Sequence, residues 1–183
     1  MSIDLSNYEE QTHQAVKYFW MIRESSLSVS SGGNQGERGG VVAGKNMNGF
    51  LDLVRNVVLR NGLTEADLHV SKPLHLTLPG FFRPTKRWDV LVIHKGILVA
   101  AIELKSQVGS FGNNFNNRCE EALGSSTDLW TAFREGAFGQ SPRPFVGYLM
   151  LLEDCEASCS PVNDKSSHFP IFPEFQNASY MKR

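Results

Sequence analysis

Asp89, Glu103 and Lys105 are the residues whose types and spacing point most directly to chemistry. Two carboxylates held close together repel unless a cation lies between them. Oxygen donors with room left for water suit Mg²⁺ or Mn²⁺ better than Zn²⁺. A protonated lysine beside them is no ligand. It orients or helps deprotonate a water and steadies negative charge on a phosphate. An aspartate followed, across a hairpin, by Glu-x-Lys therefore spells metal-assisted phosphodiester hydrolysis.

The element that must bring these groups together is the stretch from Trp88 to Gln107, WDVLVIHKGILVAAIELKSQ. Two apolar runs, Val90–Ile93 and Ile97–Ile102, flank the break His94-Lys95-Gly96, which predicts a β-hairpin. A turn centred near Lys95 sets Asp89 across from about Ala101, one pleat step from Glu103. Glu103 and Lys105 are two apart and share a face, and an unbulged register points Asp89 to that face as well. Charges beside such apolar strands must be paired or hold a metal. The spacing is that of the PD-(D/E)XK nucleases, with Trp88 in place of the proline. As a bare pattern it is common, and a solvated Glu-x-Lys pair is the ordinary outcome.

The segments around the hairpin supply candidate partners. Arg83, Lys86 and Arg87 follow Phe81 and Phe82 just before Asp89, a composition suited to phosphate contacts. After the hairpin, Gly109–Asn117 reads as a polar loop leading into Arg118. Its amides, Asn113, Asn114, Asn116 and Asn117, suit DNA contacts or local Asx turns. Arg118–Gly124 and Thr127–Phe133 read as helical and would cross over to Phe145–Leu152, expected as a buried strand parallel to Ile97–Ile102. Upstream, Asn7–Glu24 and Asn48–Asn61 have helical apolar spacing, the second closed by Asn61-Gly62. Asp52 on the second helix either aims at the metal or is solvated. Residues 25–44 read as a Gly/Ser-rich loop. Within and just after it, Gly39-x4-Gly44-Lys45-Asn46 approaches a phosphate-binding loop but lacks the required Ser or Thr and a preceding buried strand. Val70–Leu78 reads as a strand entering the hairpin through Pro79-Gly80, with Pro73 making its first half an edge or irregular.

At 183 residues, 41% hydrophobic and 20% charged, the chain is expected to form one globular nuclease domain over 1–157 with an irregular segment over 158–183. A net charge of −1 argues against a general nucleic-acid coat but leaves room for basic residues confined to a cleft. Cys119, Cys155 and Cys159 are an odd set, as expected of reduced thiols. Cys155-x3-Cys159 with His168 fits no strong zinc pattern. No apolar run approaches a membrane span and no signal peptide is evident, so a cytoplasmic, bacterial location is expected.

Longer strings are more specific than the catalytic pattern. Gly44–Phe50 (GKNMNGF), Leu78–Lys86 (LPGFFRPTK), Trp88-Asp89, Ile102–Gly109 (IELKSQVG), Ser110–Arg118 (SFGNNFNNR), Arg134–Gly139 (REGAFG) and Ser141–Gly147 (SPRPFVG) resemble the XhoI-type restriction endonucleases. The resemblance covers nearly the whole chain. It implies an α/β, restriction-endonuclease-like fold, a mixed central sheet flanked by helices. It also implies a type II enzyme cutting double-stranded DNA within the palindrome CTCGAG, with Mg²⁺ as cofactor. A homodimer and a cognate DNA methyltransferase would be its partners. Asp89, Glu103 and the Leu104 carbonyl would hold the metal, and Lys105 would be the catalytic lysine. The candidate DNA contacts are Arg83, Lys86, Arg87, Gln107, Asn113, Asn114, Asn116, Asn117 and Arg118. Asn48 is expected where the family tends to carry Asp, and the chain to end short of the family's C-terminus. Competing readings are another PD-(D/E)XK nuclease, a DNA-binding remnant and, disfavoured by Asn46, a nucleotide-binding P-loop protein.

Overall fold

Two helices come first, α1 (Tyr8–Ser30) and α2 (Asn48–Arg60), packed on one another through Ala15 and Phe19 of the first and Phe50 and Val58 of the second. A computed structural model describes residues 3–30, 46–162 and 165–182, with 27–30 and 112–115 described by their backbone alone. Helix α1 runs past the expected end at Glu24. The hydroxyls of Ser25 and Ser26 donate to the carbonyls of Met21 and Ile22, four residues back, so two serines that read as loop are absorbed into the helix. Residues 31–45, which hold the remainder of the Gly/Ser-rich stretch with Gly39, Gly44 and Lys45, lie outside the described residues. Helix α2 closes as expected: the Asn61 amide donates to the Val57 carbonyl at 2.8 Å, and Gly62 turns the chain at φ +85°.

Strands β1 (Leu68–His69), β2 (Thr77–Pro79), β3 (Thr85–Arg87), β4 (Val90–His94) and β5 (Ile97–Gln107) follow. Then come helix α3 (Phe111–Arg134), strand β6 (Phe145–Leu152) and a single turn of helix, α4 (Glu156–Cys159). The main sheet has the order β1-β4-β5-β6, with β5 and β6 parallel and the other pairs antiparallel. Strands β2 and β3 form a separate antiparallel ribbon. The α/β expectation of a mixed sheet flanked by helices holds. One face of the sheet, through Val90, Val92, Ala100 and Leu104, packs on α1 and α2. The other, through Leu91, Leu98 and Ala101, packs on Trp88, on Leu76 and Leu78 of the ribbon side, and on Leu129 of α3. Each face buries a layer of side chains whose removal from water is the main favourable term.

Several expectations are corrected. Val70–Leu78 is not one strand entering the hairpin: Lys72 turns at φ 60°, and Pro73 opens a short 3-10 turn, Pro73–Leu76. Proline is pre-set for that first helical position and cannot donate to a ladder. Only Thr77–Pro79 remains extended, and it pairs with β3 rather than with the main sheet. The polar loop over Gly109–Asn117 and the two short helices after it are in fact one helix of 24 residues. Gly109 and Ser110, at φ 70° and 51°, turn the chain, and helix begins at Phe111, buried with its ring 5.5 Å from that of Tyr180. Packing at such anchors outweighs the weak helix propensity of Asn and Gly. Strand β6 is parallel to β5 as expected, but it is an edge strand and half-buried rather than fully covered. The segment after it folds back on itself: Met181 N–H donates to the Ser158 carbonyl and Val162 N–H to that of Ala178. Ser158, Ala178 and Tyr180 are buried there. Among the described residues no helix is long and apolar enough to cross a membrane.

Candidate active site

The hairpin turn is Lys95-Gly96, with φ of 50° and 77°. Both central residues at positive φ is the turn whose twist matches two antiparallel strands. From it the pairing runs His94 with Ile97 and Ile93 with Leu98, then jumps to Val92 with Ala100, leaving Val99 unpaired as a bulge in β5. Beyond it Leu91 pairs with Ala101 and Val90 with Ile102. Continuing one residue brings Asp89 opposite Glu103, not Ala101. Without the extra residue the same turn would set Asp89 opposite Ile102, on the far face of the sheet from Glu103. The bulge also explains why Leu98 and Ala100, two apart, pack in opposite cores. The expected convergence is therefore present, but through a bulged register.

The three groups meet on the α3 side of the sheet. Lys105 Nζ lies 2.7 Å from Glu103 Oε2 and 3.5 Å from Asp89 Oδ2. Asp89 Oδ2 also accepts the Leu104 N–H at 2.8 Å, which fixes the carboxylate across the strand end. An extended residue directs its N–H and C=O to one side of the strand, so the Leu104 carbonyl faces that same edge. Glu103 is 4% exposed, and its other oxygen receives Lys86 Nζ at 2.6 Å. Lys86 reaches it from β3. Its ammonium stands 4.6 Å over the ring of buried Trp88 and donates to the Arg87 carbonyl. Trp88, which replaces the pattern's proline, thus floors the site as well as filling the core.

Electrostatics follow from this crowding. A buried carboxylate with one partner removed is costly, and Glu103 has two ammonium partners. Burial by itself would depress the Lys105 pKa. The hydrogen bond to Glu103 and the charges of Asp89 and Glu103 outweigh it, so the ammonium is held above the ordinary lysine range. In this arrangement Lys105 donates to both carboxylates. Burial has the opposite effect on the Tyr148 phenol and pushes it up.

These groups form one wall of an open cleft of about 500 Å³. Arg83, Lys86, Arg87 and Lys105 line it with four acids: Asp89, Glu103, Glu120 and Glu121. Glu120 and Glu121 come from α3, and Tyr148 from β6, with its hydroxyl 3.3 Å from Glu121. Expecting a break between Gly124 and Thr127 hid this wall. With one continuous helix, Glu121, Gly124, Ser125 and Asp128 fall on one face by their i, i+3, i+4, i+7 spacing.

The candidate DNA-contacting residues are divided by the fold. Arg83, Lys86 and Arg87 stand at the cleft, though Arg83 Nε is taken by Asp128 at 2.8 Å. Gln107 is buried and donates to the Gly109 carbonyl. Asn116 and Asn117 are exposed on α3 away from the cleft lining, and the side chains of Asn113 and Asn114 lie outside the described residues. Arg118 pairs with Glu121 and lines a second, more apolar groove with Met150 and Tyr180. Asp52 pairs with Arg55, and neither it nor Asn48 lines the cleft.

The donor set fits a hard divalent cation. Among the described residues no group of three or more His, Cys, Asp or Glu could hold a metal. Mg²⁺ asks for less, commonly one or two carboxylates with the remaining positions left to water and phosphate. Asp89 and Glu103 would provide the carboxylates and Leu104 a carbonyl. In this structure both Glu103 oxygens are taken by ammonium groups, Oε1 by Lys86 and Oε2 by Lys105.

Comparison with known proteins bears on what such a cleft acts upon. The family model described as restriction endonuclease XhoI matches residues 27–183. This chain belongs to that family. It is 51% identical over 185 residues to the type II restriction enzyme XhoI of Xanthomonas vasicola, covering all of this chain and 75% of that protein. It is 54% identical over 173 residues to the type II restriction enzyme AbrI of Azospirillum brasilense, covering 92% and 77%. It is 52% identical over 160 residues to the type II restriction enzyme BstVI of Geobacillus stearothermophilus, covering 84% and 70%. No solved structure matches the chain significantly. Within this XhoI family chain, the hairpin strings that carry the resemblance are the same strings that build the cleft wall.

Proposed function

We propose that this chain is a type II restriction endonuclease that hydrolyses both strands of duplex DNA within CTCGAG, with Mg²⁺ as cofactor. The observation that carries the reading is the convergence of Asp89, Glu103 and Lys105 on one cleft wall, in a chain of the XhoI family. The target sequence rests on the resemblance of the longer strings.

Asp89, Glu103 and the Leu104 carbonyl would hold the metal, which when bound supplies a Lewis acid for the phosphate and lowers the pKa of water. The chain's own groups do the rest. Lys105, between the two carboxylates, would orient the attacking water, help take up its proton and steady the charge on a phosphate oxygen. Lys86 neutralises Glu103 before substrate arrives and is then free to face the phosphate. Arg87 at the rim attracts the polyanion. A palindrome read by a two-fold symmetric pair of subunits, each cutting one strand, makes the working unit a homodimer. A methyltransferase of the same specificity would protect the host DNA, and the enzyme would act in the bacterial cytoplasm.

Digestion of a plasmid carrying one CTCGAG site tests this. Linear product in Mg²⁺, none in EDTA, and none from a plasmid with the site altered are expected. Binding in Ca²⁺ without any cutting in Mg²⁺ would leave a DNA-binding remnant, and cutting without regard to the site would leave another nuclease of this type.

A further inference from the structure

We propose that the Phe81-Phe82 turn is an apolar wedge that presses against the bases of duplex DNA beside the scissile phosphate. The inference rests on the nuclease reading above and adds a contact that reading does not contain.

The two rings are 51% and 69% exposed and stack edge-on at 5.0 Å. Exposed aromatics are ordinary on mobile loops, but this turn is clamped from below. Asp128 of α3, 3% exposed, accepts the N–H groups of both Phe81 and Phe82 on Oδ1 at 2.8 Å. Its Oδ2 takes Arg83 Nε at 2.8 Å. Gly80 sits so tightly on this carboxylate that a Cβ there would lie 2.5 Å from Asp128 Oδ2 and 2.7 Å from the Arg83 carbonyl. Pro79 and Pro84 stiffen the two ends. A buried charge, two backbone donors and a guanidinium thus hold in place the backbone that carries the two rings, Phe82 mostly in solvent and Phe81 about half.

Position supplies the partner. Arg83, next after Phe82, lines the cleft, and Lys86 and Arg87 follow on β3. What binds there is a phosphodiester, and the groups adjoining a phosphate on a duplex are a sugar and the faces and edges of bases. A turn fixed in advance loses little entropy on docking. Phenylalanines inserted at a base step partly unstack it and bend the duplex, which brings more backbone against a basic surface. Phe169 and Phe172 are more exposed, but among the described residues no buried carboxylate holds their N–H groups and neither neighbours in sequence a residue of the cleft.

The test uses the full chain and CTCGAG duplexes in Ca²⁺, with 2-aminopurine replacing adenines within and beside the site in turn. The wild type is expected to raise fluorescence at one step. The Phe81→Ala/Phe82→Ala variant should lose that rise and bind about tenfold or more weakly. Its salt dependence should be unchanged, since no phosphate contact is removed. Its circular dichroism should be unchanged and its thermal midpoint lowered by no more than a few degrees, since Phe82 is mostly and Phe81 half in solvent. Phe82→Trp should keep the signal. A double variant that binds and brightens the probe like the wild type overturns the wedge, as does wild-type binding and cutting with no probe response at any position. A wild type that neither binds nor cuts any duplex removes the nuclease reading, and the wedge with it.

Discussion

Lys105 and Asp128 show how differently two charged side chains are used near one cleft. Lys105 is shared between Glu103 and Asp89, so its alanine variant should fold and lose cutting by at least about a hundredfold. Asp89→Ala should do the same. Plasmid digestion alongside circular dichroism checks both, and full cutting by Lys105→Ala would remove its assigned role. Asp128 is a clamp. Burial alone would raise its pKa, but the Arg83 guanidinium and the N–H groups of Phe82 and Phe81 outweigh that and hold the carboxyl below the ordinary range. A pKa lowered by folding contributes stability that is present above the unfolded value, about 4, and is lost as pH falls through the folded value. Asp128→Ala should therefore cost roughly 1–3 kcal/mol at neutral pH, by leaving two backbone donors without their acceptor. The difference from wild type should shrink below about pH 4, as urea melts at several pH values would show. A constant difference down to pH 2 would mean the carboxylate charge contributes nothing.

At the scale of elements, the bulge and the long helix decide the site. Val99 is the residue that turns Asp89 to the face of Glu103. Deleting it while keeping the Lys95-Gly96 turn should abolish cutting even if the protein still melts cooperatively. Retained activity in the deletion would show that the aspartate reaches the site by another route. Helix α3 carries Gly124 in its interior, where an added Cβ meets nothing within 4 Å. Gly124→Ala should then stabilise by about 0.5–1 kcal/mol, visible as a raised thermal midpoint. Since Gly124 lines the cleft, any loss of DNA affinity in that variant would measure how closely the duplex approaches α3.

For the whole molecule, the balance of charge matters more than its total. The chain has a net charge of −1, yet four basic side chains share one cleft with four acids. Such a surface binds a polyanion weakly until a divalent cation offsets the carboxylates. DNA affinity should therefore rise on adding Ca²⁺ or Mg²⁺ and fall steeply with NaCl. Gel shifts across a salt series, with and without Ca²⁺, measure both dependences. Affinity independent of the divalent ion would argue against Asp89 and Glu103 as its holders.

The amino-acid sequence by itself determined the hairpin, the parallel return of β6, the α/β class and the family, because these rest on local apolar periodicity, a two-residue turn and long specific strings. It also named Asp89, Glu103, Lys105 and Lys86, since chemistry narrows which residue types can share a metal and a phosphate. It missed the register, because one unpaired residue at Val99 leaves no mark in a run of apolar side chains. It missed the start of α3, because Asn and Gly propensities are outweighed by the burial of Phe111 against Tyr180, 69 positions later in the chain. The Asp128 clamp and the α3 wall of the cleft were decided by tertiary structure alone. Each depends on distances between segments some 40 residues apart, and local pattern carries no information about such distances.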